Sequence, residues 1–346
     1  MQKLILQDKR NRKNQTIVSR ALKNKKLKIC ITGGSGFVGT RLVDKLLEKG
    51  LSISVLTRHA NKTFPHGVDV FVGDLSLPGI HIDKFLIGCD VLINCAGETS
   101  DLSQMQKIHV EGVERLINAI NQACQKNSRP LHFVQLSSVG CYGPAKNPSS
   151  PRIILETSEI MPKGIYESTK SLADEIIKKK SSKNLFTYSI LRPSNIVGLG
   201  MPNRSFGQFL RAIKSKKFFY IGSKSSITSY VHLEDVIDAI LICTMDSRAK
   251  NQVFNLSNDC ALTNIVAKVS NYYGFADNFL CIPESFVRLS VFILSKFIQT
   301  PLNKSRVDAL VSKTTYPSNK IKDVLGFIPS RSIPEFATEY LKSLYE

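Results

Sequence analysis

The feature that most constrains the fold of this chain is a glycine-rich turn between a short apolar strand and an amphipathic helix. Residues 28–31 form an apolar run, and apolar residues recur at helical spacing over residues 37–49. Between them, Gly33 permits a tight turn, Gly36 lets a phosphate approach the backbone, and Gly39 lets helix and strand pack closely. The free N–H groups and the positive dipole end of the helix complete a predicted pyrophosphate site.

A second group of residues brings hydroxyl and amine chemistry. Ser138 follows a predicted buried strand, and Tyr166 and Lys170 are four residues apart, which places them on one face of a helix. A phenol titrates near pH ~10, so it acts as a base at neutral pH only when a positive charge favours its phenolate. We expect Lys170 to supply that charge and Ser138 to orient an oxygen that gains negative charge. Together with the glycine turn, this set predicts hydride transfer at a carbon bearing oxygen.

The Gly-x-x-Gly-x-x-Gly spacing of the turn resembles the extended branch of the short-chain dehydrogenase/reductase superfamily, and the likeness covers about residues 28–345. Other segments, in their order and spacing, resemble the NAD-dependent epimerase/dehydratase group: 73–75, 91–97, 133–138, 191–198 and 230–236. The resemblance implies an α/β fold, with a Rossmann-type doubly wound parallel sheet and a smaller, discontinuous C-terminal substrate lobe. It divides the chain into a basic arm (1–27), a dinucleotide-binding domain (28–195) and a mainly substrate-binding lobe (196–346).

The resemblance also assigns roles to individual residues. It makes Ser138, Tyr166 and Lys170 catalytic. The residues that it places around the cofactor are Thr32, Gly33, Gly36, Phe37, Val38, Gly39, Arg58, Asp74, Leu75, Cys95, Ala96, Gly97, Lys170 and Pro193. A further position, which is usually an asparagine in the family, is His109 here. Whether His109 supports a water chain or fills space is open at this stage.

The end of the second predicted strand bears on which nicotinamide cofactor is used. An acidic residue there would bind both ribose hydroxyls and repel a 2′-phosphate, but this chain has Thr57, Arg58 and His59. A guanidinium can bind a phosphate through two hydrogen bonds. We therefore favour NADP(H) over NAD(H), the alternative being that Arg58 is only a solvated loop residue.

For the substrate, the family implies a nucleotide-activated sugar, with Asn195 and Arg306 as candidate contacts and a role in surface polysaccharide biosynthesis. Dehydratases of the family carry an Asp-Glu pair after the catalytic Ser/Thr, whereas Val139 and Gly140 follow Ser138 here. We therefore expect no dehydration, which leaves 4-keto reduction or 4-epimerisation. Two alternatives stay open: a reductase of a steroid-like or other small carbonyl compound, and a non-catalytic NADP(H)-binding subunit. An apolar cleft without cationic phosphate contacts would favour the first of them.

Composition limits the partners and the compartment. The net charge is +19, and residues 1–27 hold nine Lys or Arg against one Asp, without the apolar run of a signal peptide. We expect no nucleic-acid binding, since no such motif is present. The eight cysteines lack metal-site spacing, which predicts no metal, no disulfide and a cytoplasmic location. The apolar stretch 286–298 is too short to span a membrane, so we expect an amphipathic helix over the cleft or core. The alternative is that this helix or the basic arm contacts a membrane surface. We also expect the chain to form a homodimer.

Overall fold

The computed structural model describes residues 27–79, 82–127, 130–181, 186–296 and 302–344. The predicted basic arm, apart from residue 27, lies outside these ranges. The strands of the described residues are β1 (Lys28–Thr32), β2 (Ser52–Thr57), β3 (Val68–Val72), β4 (Val91–Asn94), β5 (Leu131–Leu136), β6 (Pro151–Ile153), β7 (Phe186–Pro193), β8 (Asn195–Val197), β9 (Tyr220–Ile221), β10 (Ile227–Thr228), β11 (Tyr230–His232), β12 (Gln252–Leu256), β13 (Cys260–Ala261), β14 (Cys281–Ile282) and β15 (Lys313–Thr315).

The α-helices of the same ranges are α1 (Phe37–Leu47), α2 (Leu102–Met105), α3 (Gly112–Asn127), α4 (Ile165–Ser181), α5 (Ser205–Lys214), α6 (Leu233–Met245), α7 (Leu262–Tyr272), α8 (Glu284–Leu294), α9 (Lys304–Val311), α10 (Asn319–Leu325) and α11 (Ile333–Ser343). A π-helical turn (Gln106–Glu111) joins α2 to α3, and 3-10 turns follow β5 (Val139–Tyr142) and α6 (Ser247–Ala249).

Seven strands form one parallel sheet in the order β12-β7-β5-β4-β1-β2-β3. The chain builds β2 and β3 on one side of β1 and then crosses to β4 on the other side. At such a reversal, the connections leave opposite faces of the sheet and open a crevice at the carboxyl ends of the strands. The expected Rossmann-type doubly wound fold is confirmed, and its crevice lies where β1 and β4 end.

Apolar side chains cover both faces of the sheet. On one face, Ile31 packs in a cluster with Leu42 of α1 and Ile240 of α6. On the other face, Leu92 belongs to a cluster with Ile117 of α3 and Ala173 of α4. The central strand β4 accordingly has a continuous, fully buried apolar run, as expected for a sheet covered on both sides, whereas the edge strand β3 is partly exposed.

A separate core stabilises a smaller lobe. Phe206 of α5 stacks on Phe336 of α11 at 6.0 Å between ring centroids, and Ile265 of α7 packs in the same cluster. Although β12 and α6 follow residue 196, they belong to the main sheet and to the core beneath it. The boundary between residues 195 and 196 stays a prediction. Within the described ranges, no helix is both long and apolar enough to cross a membrane.

Candidate active site

The glycine turn is packed so tightly that two of its glycines have no room for a side chain. Gly33 has a φ of +71°, and a Cβ there would lie 2.5 Å from the backbone nitrogen of Ala96. A Cβ on Gly39 would collide with the carbonyl oxygen of Gly33. The turn therefore sits close to both α1 and the end of β4. The exposed Gly36 starts α1 without a side-chain cap, so the first N–H groups of the helix are open to a ligand.

A cavity of about 920 Å³ lies over this turn, and it is lined by residues of the main sheet and of the C-terminal half. The predicted site residues on its wall are Gly36, Phe37, Val38, Gly39, Cys95, Gly97, Ser138, Tyr166, Lys170, Pro193 and Asn195. Further wall residues, such as Thr228 and Asp308, come from the later part of the chain. The glycine turn and the Ser/Tyr/Lys set, although separated by about a hundred residues in sequence, thus share one cavity.

Ser138 and Tyr166 both lie on the cavity wall, with the Ser138 hydroxyl close enough to the phenol to influence its ionisation. The Ser138 oxygen also accepts a hydrogen bond from the N–H of Gly140 at 3.1 Å, which fixes its position above β5. Burial and, to a smaller extent, the negative charge of Glu167 raise the pKa of Tyr166, while the Ser138 hydroxyl lowers it. We expected Lys170 to lower this pKa, but the net shift is upward and Lys170 is not among its causes.

Lys170 points instead toward the end of the sheet. Its ammonium donates to the carbonyl oxygen of Leu136 at 3.1 Å and lies beside Gly97. Burial lowers the pKa of Lys170 to about 8, although the charges of Asp174 and Cys95 oppose that shift. An ammonium held at the cavity wall with one protein acceptor retains donors for a bound hydroxyl group.

A buried polar network supports the catalytic strand and helix from below. Arg192 of β7 pairs with Asp174 of α4 at 3.0 Å, and both side chains are almost fully buried. Asp174 also accepts a hydrogen bond from Ser137 at 2.9 Å, and Arg192 donates to the hydroxyl of Tyr142 at 2.9 Å. The Ser137 hydroxyl therefore has a structural role, because it ties the end of β5 to α4.

His109 joins the helix that carries Tyr166 to the loop after β4 through its two ring nitrogens. Its Nε2 accepts a hydrogen bond from the N–H of Glu98 at 2.9 Å, so Nδ1 carries the proton and donates to Thr169 at 2.8 Å. The ring also makes an edge-to-face contact with Tyr166, with 5.5 Å between centroids. Burial lowers the pKa of His109 to about 3, so the ring is neutral. Because the protein occupies both nitrogens, His109 fills this space and orients Tyr166 rather than holding a water chain.

The residues predicted for the adenosine end lie beyond the cavity wall. Arg58 is exposed directly after β2. Asp74 follows β3 and accepts hydrogen bonds from the N–H and the hydroxyl of Ser76, both at 2.8 Å. Leu75 is buried next to Gly112, and Thr32, Gly33 and Ala96 form the floor beneath the turn. All of these groups lie at the carboxyl edge of the sheet, near the ends of β1 to β4.

A sequence profile of the NAD dependent epimerase/dehydratase family matches residues 29–257. The chain belongs to this family. A ketoreductase of Stigmatella aurantiaca, which acts on a 4-hydroxy-2-methyl-3-oxo-4-farnesyl-3,4-dihydroquinoline-1-oxide, is 26% identical over 221 residues, covering 61% of this chain and 63% of the relative. The dTDP-6-deoxy-L-talose 4-dehydrogenase (NAD(P)(+)) of Kitasatospora kifunensis is 27% identical over 249 residues, or 68% of this chain and 75% of that one.

Two further similarities span more of the chain. The decarboxylating sterol-4-alpha-carboxylate 3-dehydrogenase of Mus musculus is 22% identical over 342 residues, covering 93% of this chain and 92% of the relative. The solved structure of UDP-glucose 4-epimerase from Thermotoga maritima with UDP-glucose has the same fold. Its TM-score is 0.68 at 18% identity, and the match covers 92% of this chain and 100% of that one.

One acidic residue at the epimerase/dehydratase-family site escaped sequence analysis. Glu167 lines the cavity beside Tyr166, and its Cγ lies 2.7 Å from where a Cβ on Gly140 would be. Gly140 therefore leaves room for Glu167. We expected no acid after Ser138 because Val139 and Gly140 cannot exchange protons, but α4 brings a carboxylate to the same wall. Only the position next to Tyr166 could have indicated this.

Of the two predicted substrate contacts, one lies on the cavity wall and the other does not. Asn195 lies on the wall, whereas Arg306 is absent from it and donates to Gln208 at 2.8 Å. Among the described wall residues, Lys170 is the only Lys or Arg, and the acidic ones are Glu167 and Asp308. This part of the wall is thus poor in the cations that usually bind a diphosphate.

Proposed function

We propose that this member of the epimerase/dehydratase family is an NAD(P)-dependent oxidoreductase or epimerase. Its substrate in this proposal is a nucleotide-activated sugar, which it converts by 4-keto reduction or 4-epimerisation in surface polysaccharide biosynthesis. The observation that carries the proposal is that Ser138, Tyr166 and Lys170 line one cavity together with the glycine turn. An acid and a donor side by side are what a reacting carbonyl oxygen needs.

The chain fits a nicotinamide dinucleotide because α1 begins after Gly36, on the cavity wall, without a side-chain cap, which leaves its first N–H groups open to a phosphate. In the proposal, the N-terminus of α1 holds the pyrophosphate and Lys170 holds the nicotinamide ribose. Arg58 is the candidate for a 2′-phosphate, so we keep NADP(H) ahead of NAD(H). When bound, the cofactor supplies or accepts the hydride.

Side chains of the protein transfer the proton that accompanies the hydride. Tyr166 donates its phenolic proton to the substrate oxygen during reduction and takes it back during oxidation. Burial and the charge of Glu167 raise the pKa of this phenol, so Tyr166 carries its proton at neutral pH before the reduction begins. Ser138 holds the same oxygen and steadies the charge that develops on it.

For the sugar nucleotide, the supporting observations are the sugar-nucleotide enzymes among the relatives and the solved structures. The scarcity of cations on the described wall favours a second candidate, a steroid-like or other apolar carbonyl compound. The quinoline-oxide and sterol enzymes among the relatives support that candidate as well. A diphosphate is doubly charged, so a site for it without an arginine relies on neutral hydrogen-bond donors such as Asn195.

The compartment and the oligomeric state belong to the same proposal. All eight thiols are free and five are buried, in accordance with a cytoplasmic location. The homodimer is to be tested by sedimentation of the purified chain.

Turnover with a panel of substrates tests the proposal. The panel holds 4-keto derivatives of UDP- and dTDP-sugars, the corresponding alcohols and a 3-keto steroid, each with NADPH or NADP⁺. We expect Tyr166→Phe to lower kcat about 10²- to 10⁴-fold, because the general acid is lost. Tyr272→Phe, an exposed tyrosine far along the chain, is the control and should retain full turnover. Full turnover by Tyr166→Phe would contradict the assignment of Tyr166 as the general acid. Activity on the steroid alone would favour the second candidate, an apolar carbonyl substrate.

A further inference from the structure

Helix α8 (Glu284–Leu294) carries an exposed apolar stripe. Phe286, Leu289, Phe292 and Ile293 are 64%, 57%, 62% and 47% exposed. Their spacing of three, three and one residues places them on one face of the helix. Exposed apolar residues are ordinary when they are scattered singly, but a contiguous row with two phenylalanines indicates a binding surface.

The opposite face of α8 fastens the helix to the protein. Val287 is buried in a small core with Val307 and Val311 of α9. Arg288 bonds Glu284 on its own helix and Asp308 of α9, each at 2.8 Å. The ion pair with Asp308 joins α8 to α9. The exposed stripe is therefore a fixed feature of a packed helix and not a loose segment.

Cations flank the stripe. The ammonium of Lys296 lies over the ring of Phe292, 4.7 Å from its centroid, and Lys304 is exposed at the start of α9. Glu284 and Asp308 are the acidic residues facing Arg288, and both are paired to it. A chain with a net charge of +19 is attracted to an anionic surface.

We propose that the exposed stripe of α8 docks the protein onto an anionic lipid bilayer, with the helix lying in the plane of the surface. Eleven residues span only about 16 Å, too little to cross the hydrocarbon core but enough to insert one apolar face. Phenylalanine and leucine side chains enter the acyl region, while Lys296 reaches the phosphate headgroups.

The docking surface adjoins the cavity. Asp308 and Ala309 of α9 line the cavity, and the same helix packs against α8. A protein docked through α8 therefore holds this wall of its cavity close to the bilayer. The inference rests on the stripe and its charges, and lipid binding does not depend on which substrate the enzyme takes.

Flotation with vesicles tests the surface on the full chain, using phosphatidylcholine with 30% phosphatidylglycerol and phosphatidylcholine alone. The variant is Phe286→Ser with Phe292→Ser, and circular dichroism verifies its fold. The control is Leu77→Ser with Ile87→Ser, which removes apolar side chains of 58% and 64% exposure elsewhere. We expect the native chain to float with the anionic vesicles, the α8 variant to bind them at least tenfold more weakly, and the control to match the native chain within twofold.

Three results would overturn the proposal. One is a native chain that binds neither vesicle. Another is an α8 variant that binds as well as the native chain, with both released by 0.5 M salt, since binding would then come from basic segments alone. The third, seen by sedimentation without lipid, is a native dimer that the α8 variant dissociates, which would make the stripe a contact between two copies.

Discussion

Replacing His109 by glutamine should lower the free energy of unfolding at neutral pH, and should lower it much less at acidic pH. At pH 7.5 the variant loses the hydrogen bond to Thr169 and the ring contact with Tyr166, while the glutamine oxygen can still accept from Glu98. A hydrogen bond contributes about 0.5–1.5 kcal/mol and an aromatic pair about 0.5–1.5 kcal/mol. We expect the free energy of unfolding to fall by about 1–3 kcal/mol.

The pH dependence follows from the lowered pKa of His109, about 3 in the folded protein against an ordinary value of 6.5. Between pH 6.5 and pH 3, His109 is protonated in the unfolded chain but neutral in the folded protein. The free energy of unfolding that the neutral ring contributes is therefore lost as pH falls below 6.5. Each pH unit below 6.5 lowers the free energy of unfolding of the native protein by about 1.4 kcal/mol. Because pH 5 lies about 1.5 units below that value, the native protein loses roughly 2 kcal/mol there. The glutamine variant does not titrate, so its deficit should shrink to about 1 kcal/mol or less.

Urea unfolding of both proteins at pH 7.5 and pH 5.0 measures the two deficits. His132 and His232 also have lowered pKa values, but they are present in both proteins and cancel in the difference. A deficit that is equal at the two pH values would refute the account, because His109 would then protonate in the folded protein without losing its contacts.

Three more substitutions follow from the contacts described. The Cβ of Gly39→Ala would collide with the Gly33 carbonyl, so this variant should lose nicotinamide binding, measured by NADPH fluorescence. Its control is Gly50→Ala, at a position in open space with a positive φ, which should lower stability but keep binding. Arg192→Met leaves the Asp174 carboxylate buried without its partner, so the free energy of unfolding in urea should fall by about 3–5 kcal/mol; a loss below about 1 kcal/mol would contradict the ion pair. Arg58→Ala should weaken the binding of NADPH at least fivefold and leave NADH unchanged, and an equal effect on both would show that Arg58 does not bind a 2′-phosphate.

Features that depend on local spacing were predictable from the sequence. The glycine turn follows from a strand, three glycines and a helix in sequence, and the doubly wound sheet was implied by the resemblance to the short-chain dehydrogenase/reductase superfamily. The shared face of Tyr166 and Lys170 follows from the helical repeat alone. Their side chains line the same cavity as the turn because both lie at the carboxyl edge of one parallel sheet.

Features that depend on which elements meet were not predictable. The spacing of Tyr166 and Lys170 does not reveal that the ammonium turns to Leu136, so the direction of the phenol's pKa shift was wrong. Glu167 reaches the wall only because Gly140, on another element, leaves space for it. Arg306 illustrates the reverse case, since its place in sequence predicts a phosphate contact while helix packing directs it to Gln208.

Binding of reduced nicotinamides to the purified chain tests the central claim most directly. The protein is first denatured to quantify any dinucleotide that it retains, and NADPH and NADH are then titrated onto the cofactor-free native chain. The account predicts one site per chain, with NADPH bound more tightly than NADH. Retained cofactor near one per chain would favour epimerisation, and little retained cofactor would favour reduction. A chain that retains no dinucleotide and binds neither NADPH nor NADH would contradict the account.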